Sequence, residues 1–210
     1  MFRRFVPLIA VAVVTLVGVS ASAQTILFAQ LTNAAENPPA VPTLQNGQPR
    51  PASFGEAVFI LNAAQTELSV DVTVFNIDFT GTQTTDPNDN LLNAHIHAGP
   101  TVTPSTNGGV VWGFIGTPFN NTTPNEGVTT PFTTGVGGRF QGVWNAPEGN
   151  NTTLALQLTH ILNNRSYINF HTVQFGGGEV RGNLAVVPEP SAVALLGAAG
   201  ALALRRRRHA

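Results

Sequence analysis

Between residues 24 and 187 the chain repeatedly alternates apolar and polar side chains. Leu68, Val70, Val72 and Val74 are separated by Ser69, Asp71 and Thr73, a period of two that predicts a strand with one buried face. Shorter apolar runs at 57–61, 110–115 and 140–144 each follow a glycine turn signal: Gly55, Asn107-Gly108-Gly109 and Gly137-Gly138. Segments 26–31, 92–97, 167–172 and 179–186 bring the expected strands to about eight. One stretch has the helical period instead. Leu154, Leu158 and Leu162 share a face, Thr152 or Thr153 stands at the N-cap, and Asn163-Asn164 ends the pattern. Two long connections remain, 81–90 and 116–138. The second is rich in Thr, Pro, Asn and Gly and reads as either a surface excursion or a binding loop. The pattern predicts an all-β fold: an antiparallel, Greek-key-like β-sandwich with one short helix and long loops.

Both ends follow a different pattern. Arg3 and Arg4, an apolar run over 5–19 and Ala21-Ser22-Ala23 have the order of a secretory signal peptide, which makes Gln24 the first mature residue. At the other end Pro188-Glu189-Pro190 interrupts regular structure, an apolar run follows over 192–204, and four arginines close it at 205–208. A helix over that run would reach about 20 Å, short of the roughly 30 Å hydrocarbon core, with the arginines able to snorkel to the headgroups. This order resembles the PEP-CTERM sorting signal of bacteria that make extracellular polysaccharide; an ordinary C-terminal membrane anchor has the same layout. The resemblance implies a transient, transmembrane inner-membrane intermediate, cleavage near the motif by an exosortase-type processing enzyme, and delivery to the cell surface or extracellular matrix. Extracellular polysaccharide and surface proteins are then the expected partners. The expected division is signal peptide 1–23, body 24–187 and sorting segment 188–210.

Composition narrows the chemistry of the body. The chain has no lysine and no cysteine, and the body keeps only Arg50, Arg139, Arg165 and Arg181 against ten acidic residues, a net charge near −6. Such a body offers no basic stripe to a phosphate backbone, so nucleic acid is not an expected partner. Without cysteine, disulfides, iron–sulfur clusters and thiolate chemistry are excluded. No serine lies in Gly-x-Ser-x-Gly, there is no glycine-rich phosphate loop, and no carboxylate pair has a glycosidase context. No catalytic residue is assigned, and the chain is not expected to be an enzyme.

Candidate chemistry concentrates in two segments. On a strand, His95 and His97 of 93–100 project from one face, roughly 6.5 to 7 Å apart. Imidazoles so placed can converge on one zinc or copper ion. In 168–184, His171 shares a face with Tyr167 and Asn169, and Glu179 and Arg181 share a face after the turn Gly176-Gly177-Gly178 and are expected to form a structural ion pair. Two readings of the histidines stand: metal ligands, or residues hydrogen-bonded within the fold. Binding at free imidazoles would weaken as pH falls through about 6.5. His160, on the helix, is read as solvated. Trp112 and Trp144 are read as core residues, with carbohydrate stacking as the minor alternative. The loop 86–89 reads as a solvated turn, since it lacks the ligand spacing of an EF-hand.

These motifs carry a family resemblance. Ala94-His95-Ile96-His97 with Gly99-Pro100, Gly109-Val110-Val111, Tyr167 with Asn169, His171 and Thr172, and Gly177-Gly178-Glu179-Val180-Arg181-Gly182 resemble the pattern of the chordin-type (CHRD) domain, over roughly residues 27–186. An early Leu-Thr-x-Ala-x-Glu-x-Pro-Pro stretch at 31–39 fits its usual start. Val180, Asn183 and the insertion at 116–138 depart from the pattern; none touches a histidine. The resemblance implies a secreted binding or structural module, as in the growth-factor antagonists of animals, and carries no single activity. The histidine arrangement is also faintly similar to that of copper/zinc superoxide dismutases. The chain lacks their histidine-dense zinc loop, bridging ligand and disulfide, which argues against dismutase activity.

Overall fold

The computed structural model describes residues 24–188. The signal-peptide reading of 1–23, and Glu189, Pro190 and the rest of the sorting segment, lie outside the described residues. Among the described residues no helix is long and apolar enough to cross a membrane.

The strands are β1 (Thr25–Thr32), β2 (Phe54–Leu61), β3 (Glu67–Phe75), β4 (Leu91–Ala98), β5 (Val110–Ile115), β6 (Val128–Pro131), β7 (Gly137–Asn145), β8 (Ser166–Thr172), β9 (Val180–Asn183) and β10 (Ala185–Val186). One helix, α1 (Leu154–Leu162), lies between β7 and β8. All the strands join one antiparallel sheet in the order β5-β4-β8-β9-β1-β2-β3-β7-β6, with β10 alongside the start of β1. The all-β expectation holds, and the sandwich is made by one continuous sheet that curls over itself. β5 and β7 are far apart in strand order, yet Trp112 stacks on Trp144 with centroids 5.7 Å apart and Phe114 packs on Phe140 at 4.6 Å.

Alternation explains the core. Ala57, Phe59 and Leu61 of β2 stand opposite Val72, Val70 and Leu68 of β3, and all six are buried. Val72 in turn faces Phe140 on β7. Each of the valine, leucine and phenylalanine side chains among them contributes about 1.5–3 kcal/mol on full burial. Both tryptophans are fully buried, so neither ring face is open to a sugar. Their indole N–H groups both donate to Glu148, from Trp112 to Oε2 at 3.3 Å and from Trp144 to the main-chain carbonyl at 2.8 Å. Glu148 Oε1 accepts the N–H groups of Thr122 (2.5 Å) and Thr123 (2.7 Å), tying the long connection to the core.

The helix forms where its period predicts. Thr153 caps it by accepting from Leu156 N–H, and Leu154 and Ile161 are its buried residues, with Leu158 and Leu162 packed beside them. Two sequence expectations need revision. The 116–138 connection contains strand β6, whose residues Val128 to Thr130 are exposed, so an edge strand with no buried alternation left no periodic signal. Segment 179–186 is two strands: β9 pairs with β8, buried Leu184 turns inward, and β10 pairs with β1. The loop at 86–89 is internally satisfied, with Asp86 capping a 3₁₀ turn at Pro87–Asp89 and Asp89 accepting from the Thr84 hydroxyl at 2.9 Å.

Candidate metal centre

Strands β4, β8 and β9 bury one face against the apolar core, through Ala94, Ile96, Ile168, Phe170 and Val180. The opposite face carries His95 and His97 on β4, Tyr167, Asn169 and His171 on β8, and Arg181 on β9, all buried. Register places His95 opposite Asn169, His97 opposite Tyr167, and Asn169 opposite Arg181. Connecting loops roof this face, which therefore forms a polar second core.

The three predicted histidines meet there. His95 Nδ1 lies 3.2 Å from His171 Nε2, and one nitrogen from each of His95, His97 and His171 falls within 4.8 Å of the others. Each ring uses its remaining nitrogen on a main-chain carbonyl at 3.0 Å: His95 Nε2 on Thr117, His97 Nδ1 on Gly108 and His171 Nδ1 on Gly176. A carbonyl only accepts, so all three contacts require N–H on the ring. In neutral imidazoles that leaves lone pairs on His95 Nδ1, His97 Nε2 and His171 Nε2, of which His95 Nδ1 and His171 Nε2 face each other. His97 Nε2 is buried with no hydrogen-bond partner. A proton shared between His95 and His171 would place three N–H protons on two rings, making one an imidazolium. Burial opposes that charge: desolvation, then the neighbouring His171, lowers His95 to about 4. Desolvation lowers His97 to about 3 and also lowers His171. The rings are held neutral, so proton competition begins well below the pH of 6.5 expected for free imidazole. Metal–nitrogen bonds of about 2.0–2.1 Å in tetrahedral geometry put ligand nitrogens about 3.3 Å apart, close to the observed His95–His171 separation.

Local sequence sets the three carbonyls. Gly113 faces His95 across β4 and β5, and a Cβ there would lie 1.8 Å from Pro118 O, so glycine admits the loop that carries Thr117. Asn93 Oδ1 accepts Thr117 N–H at 2.7 Å and fixes that loop. Gly108 belongs to the 99–109 loop, which Arg181 anchors: its guanidinium donates to Asn107 Oδ1 (2.8 Å), Thr103 O (2.7 Å) and Thr106 O (3.1 Å). That guanidinium also sits 3.6 Å above the centroid of Tyr167, whose ring stacks on His97 at 4.6 Å.

The expected Glu179–Arg181 ion pair does not form. Glu179 precedes β9, and its buried carboxylate is taken by Arg50 (2.5 Å), Thr172 Oγ1 (2.6 Å) and Ser53 Oγ, while Arg181 faces the 99–109 loop. Arg50 and Ser53 were not singled out because they come from a different loop, more than a hundred residues away in sequence; the signal available was that Arg50 is one of only four arginines in the body. His160 lies on α1, half-buried and outside the histidine cluster.

The curled all-β body with a buried three-histidine cluster on one sheet face defines the class of the molecule. The chain belongs to the CHRD domain family, whose pattern matches residues 27–184. Comparison with curated proteins and with solved structures gives no match.

Proposed function

We propose that the protein is an exported CHRD module whose body binds one zinc or copper ion through His95, His97 and His171. The observation that carries this reading is the gathering of three buried histidines, one nitrogen of each within 4.8 Å of the others, with a carbonyl bonded to each ring to set its tautomer. Outer partners of this kind fix the tautomer and orientation of metal-binding imidazoles. The alternative role, hydrogen bonding within the fold, accounts for one nitrogen of each ring and leaves His97 Nε2 buried without a partner. Three neutral ligands with a fourth position open suit either ion. The module acts by binding, as a component of the cell surface or extracellular matrix. Titration calorimetry of zinc or copper into the metal-free protein is expected to give one site, lost in a His95/His97/His171 triple alanine variant and retained in His160→Ala. Equal affinity in the wild type and the triple variant would reduce these histidines to scaffold.

Sorting belongs to the same proposal and rests on the sequence of the two ends. An exosortase-type enzyme cuts at or near Pro188-Glu189-Pro190 after inner-membrane anchoring, so surface material lacks the arginines at 205–208. Mass spectrometry finding those arginines on surface-exposed protein would reject this part.

A further inference from the structure

An antiparallel sheet that buries one face in a core ordinarily turns polar side chains to water on the other. The outer face of β1 and β2 departs from this. Its outward positions include Ile26, Phe28, Val58 and Ile60, and Val187, just past β10, joins them; each is 36–46% exposed. Register sets these residues in rows. Ile26 stands opposite Ile60, Ile60 opposite Ser69 and Ser69 opposite Val143, while Val187 donates its N–H to Ile26 O at 2.9 Å. This row runs from β10 across β1, β2 and β3 to β7, and in the row beside it Phe28 faces Val58. Val58 and Ile60 also line an open groove of about 490 Å³, together with Ser69, Val128, Val143 and Glu126. A contiguous apolar patch of this kind marks an interaction surface.

Three observations select its occupant. Val187 lies on the row itself, and the apolar run 192–204 begins only a few residues further on. A segment tethered so closely has an effective concentration of about a millimolar, far above that of a second copy in dilute solution. Length agrees as well. Four strand spacings of about 4.8 Å separate β10 from β7, about 19 Å, and the run 192–204 spans about 20 Å as a helix. Charge is the third. At the β7 end of the row stand Glu67, opposite Asn145, and Glu126, whose Oε2 accepts from Asn145 Nδ2 at 2.8 Å; both residues are exposed. Four arginines, 205–208, follow the apolar run and reach that end. A second copy would bring the same carboxylates and, beside them, only the Arg139 already paired with Asp71. An anionic membrane surface would repel them. We propose that in the uncut chain residues 192–204 lie across this outer face, with the arginines against Glu67 and Glu126, so that the body covers its own apolar tail. The contact needs neither the metal nor the exosortase; its use, keeping the tail from water until it enters a membrane, rests on the sorting reading.

Photo-crosslinking of the full-length chain in lipid-free buffer tests this, with benzoylphenylalanine in place of Ile60 and, for comparison, in place of Leu156, which is exposed on α1. Trypsin cuts after Arg181 and Arg205, which releases the tail within the peptide 182–205, and fragmentation then locates the new bond. At about 1 μM protein, well below the effective concentration of a tethered segment, illumination is expected to join the probe at 60 to a residue within 192–204 in a product of monomer mass. The probe at 156 is expected to give no such product. Leu195→Asp with Leu196→Asp is expected to lower the yield about tenfold, with circular dichroism unchanged. Linkage to a second copy, to residues 1–23 or only to 182–188, no linkage, equal linkage from 156, or an undiminished yield in the folded aspartate variant would each overturn the proposal. Linkage to 192–204 in a protein whose surface-exposed form keeps its arginines would uphold the contact while rejecting the sorting reading.

Discussion

At the scale of single residues, the polar core stores a pH dependence. The unfolded chain protonates its histidines near pH 6.5, whereas burial, with some repulsion from His171, lowers folded His95 to about 4, and burial lowers His97 to about 3. Between these values the unfolded state holds more protons. Stability of the metal-free protein is therefore full above about pH 6.5 and declines as pH falls toward the folded values, by up to about 1.4 kcal/mol per pH unit for each histidine. Urea midpoints of metal-free protein at about pH 7.5 and about pH 5 should differ accordingly, and should converge in the triple alanine variant. Identical midpoints in the wild type would contradict the burial of neutral rings. The sequence showed which histidines to examine, because a period of two places His95 and His97 on one face whatever the rest of the fold does. It did not show the carbonyls of Thr117, Gly108 and Gly176, since main-chain acceptors have no residue signature. Nor did it show the partner of Glu179, since spacing along one strand says nothing about a side chain arriving from a distant loop.

At the scale of elements, the site is a product of its loops. β4 and β8 carry the rings, but the loops at 99–109 and 116–118 select which nitrogen of each β4 ring remains free. Arg181 links a strand to one of these loops through three acceptors. Arg181→Met keeps much of the side-chain volume and strands those acceptors, so a destabilisation of about 3 kcal/mol is expected. Because Gly108 O would lose its fixed position behind His97, zinc affinity is also expected to fall, by about 10- to 100-fold. Denaturation and zinc titration of the one variant separate the two effects, and an unchanged zinc affinity would show that the loop does not position His97. The strands themselves were legible because apolar alternation survives in β2, β3 and β7 whatever they pair with. β6 was not, because an exposed edge strand has no buried face to mark it.

At the scale of the whole molecule, one sheet does the work of two. The order of strands brings its β5 end, next to the histidine-bearing β4, back onto β7 through aromatic contacts rather than backbone hydrogen bonds. Alternation along each strand foretold an all-β body, but it is a local property and is silent about which strands end up as neighbours; the curl follows from twist accumulated over the sheet and from the large side chains that fill its interior. The seam where the sheet meets itself holds both tryptophans of the chain, with planes 7° apart. Two indoles at that spacing couple as chromophores, and their coupling vanishes when β5 and β7 separate. The protein thus carries an intrinsic optical gauge of its own closure, able to tell an opened sheet with intact strands from a fully unfolded chain.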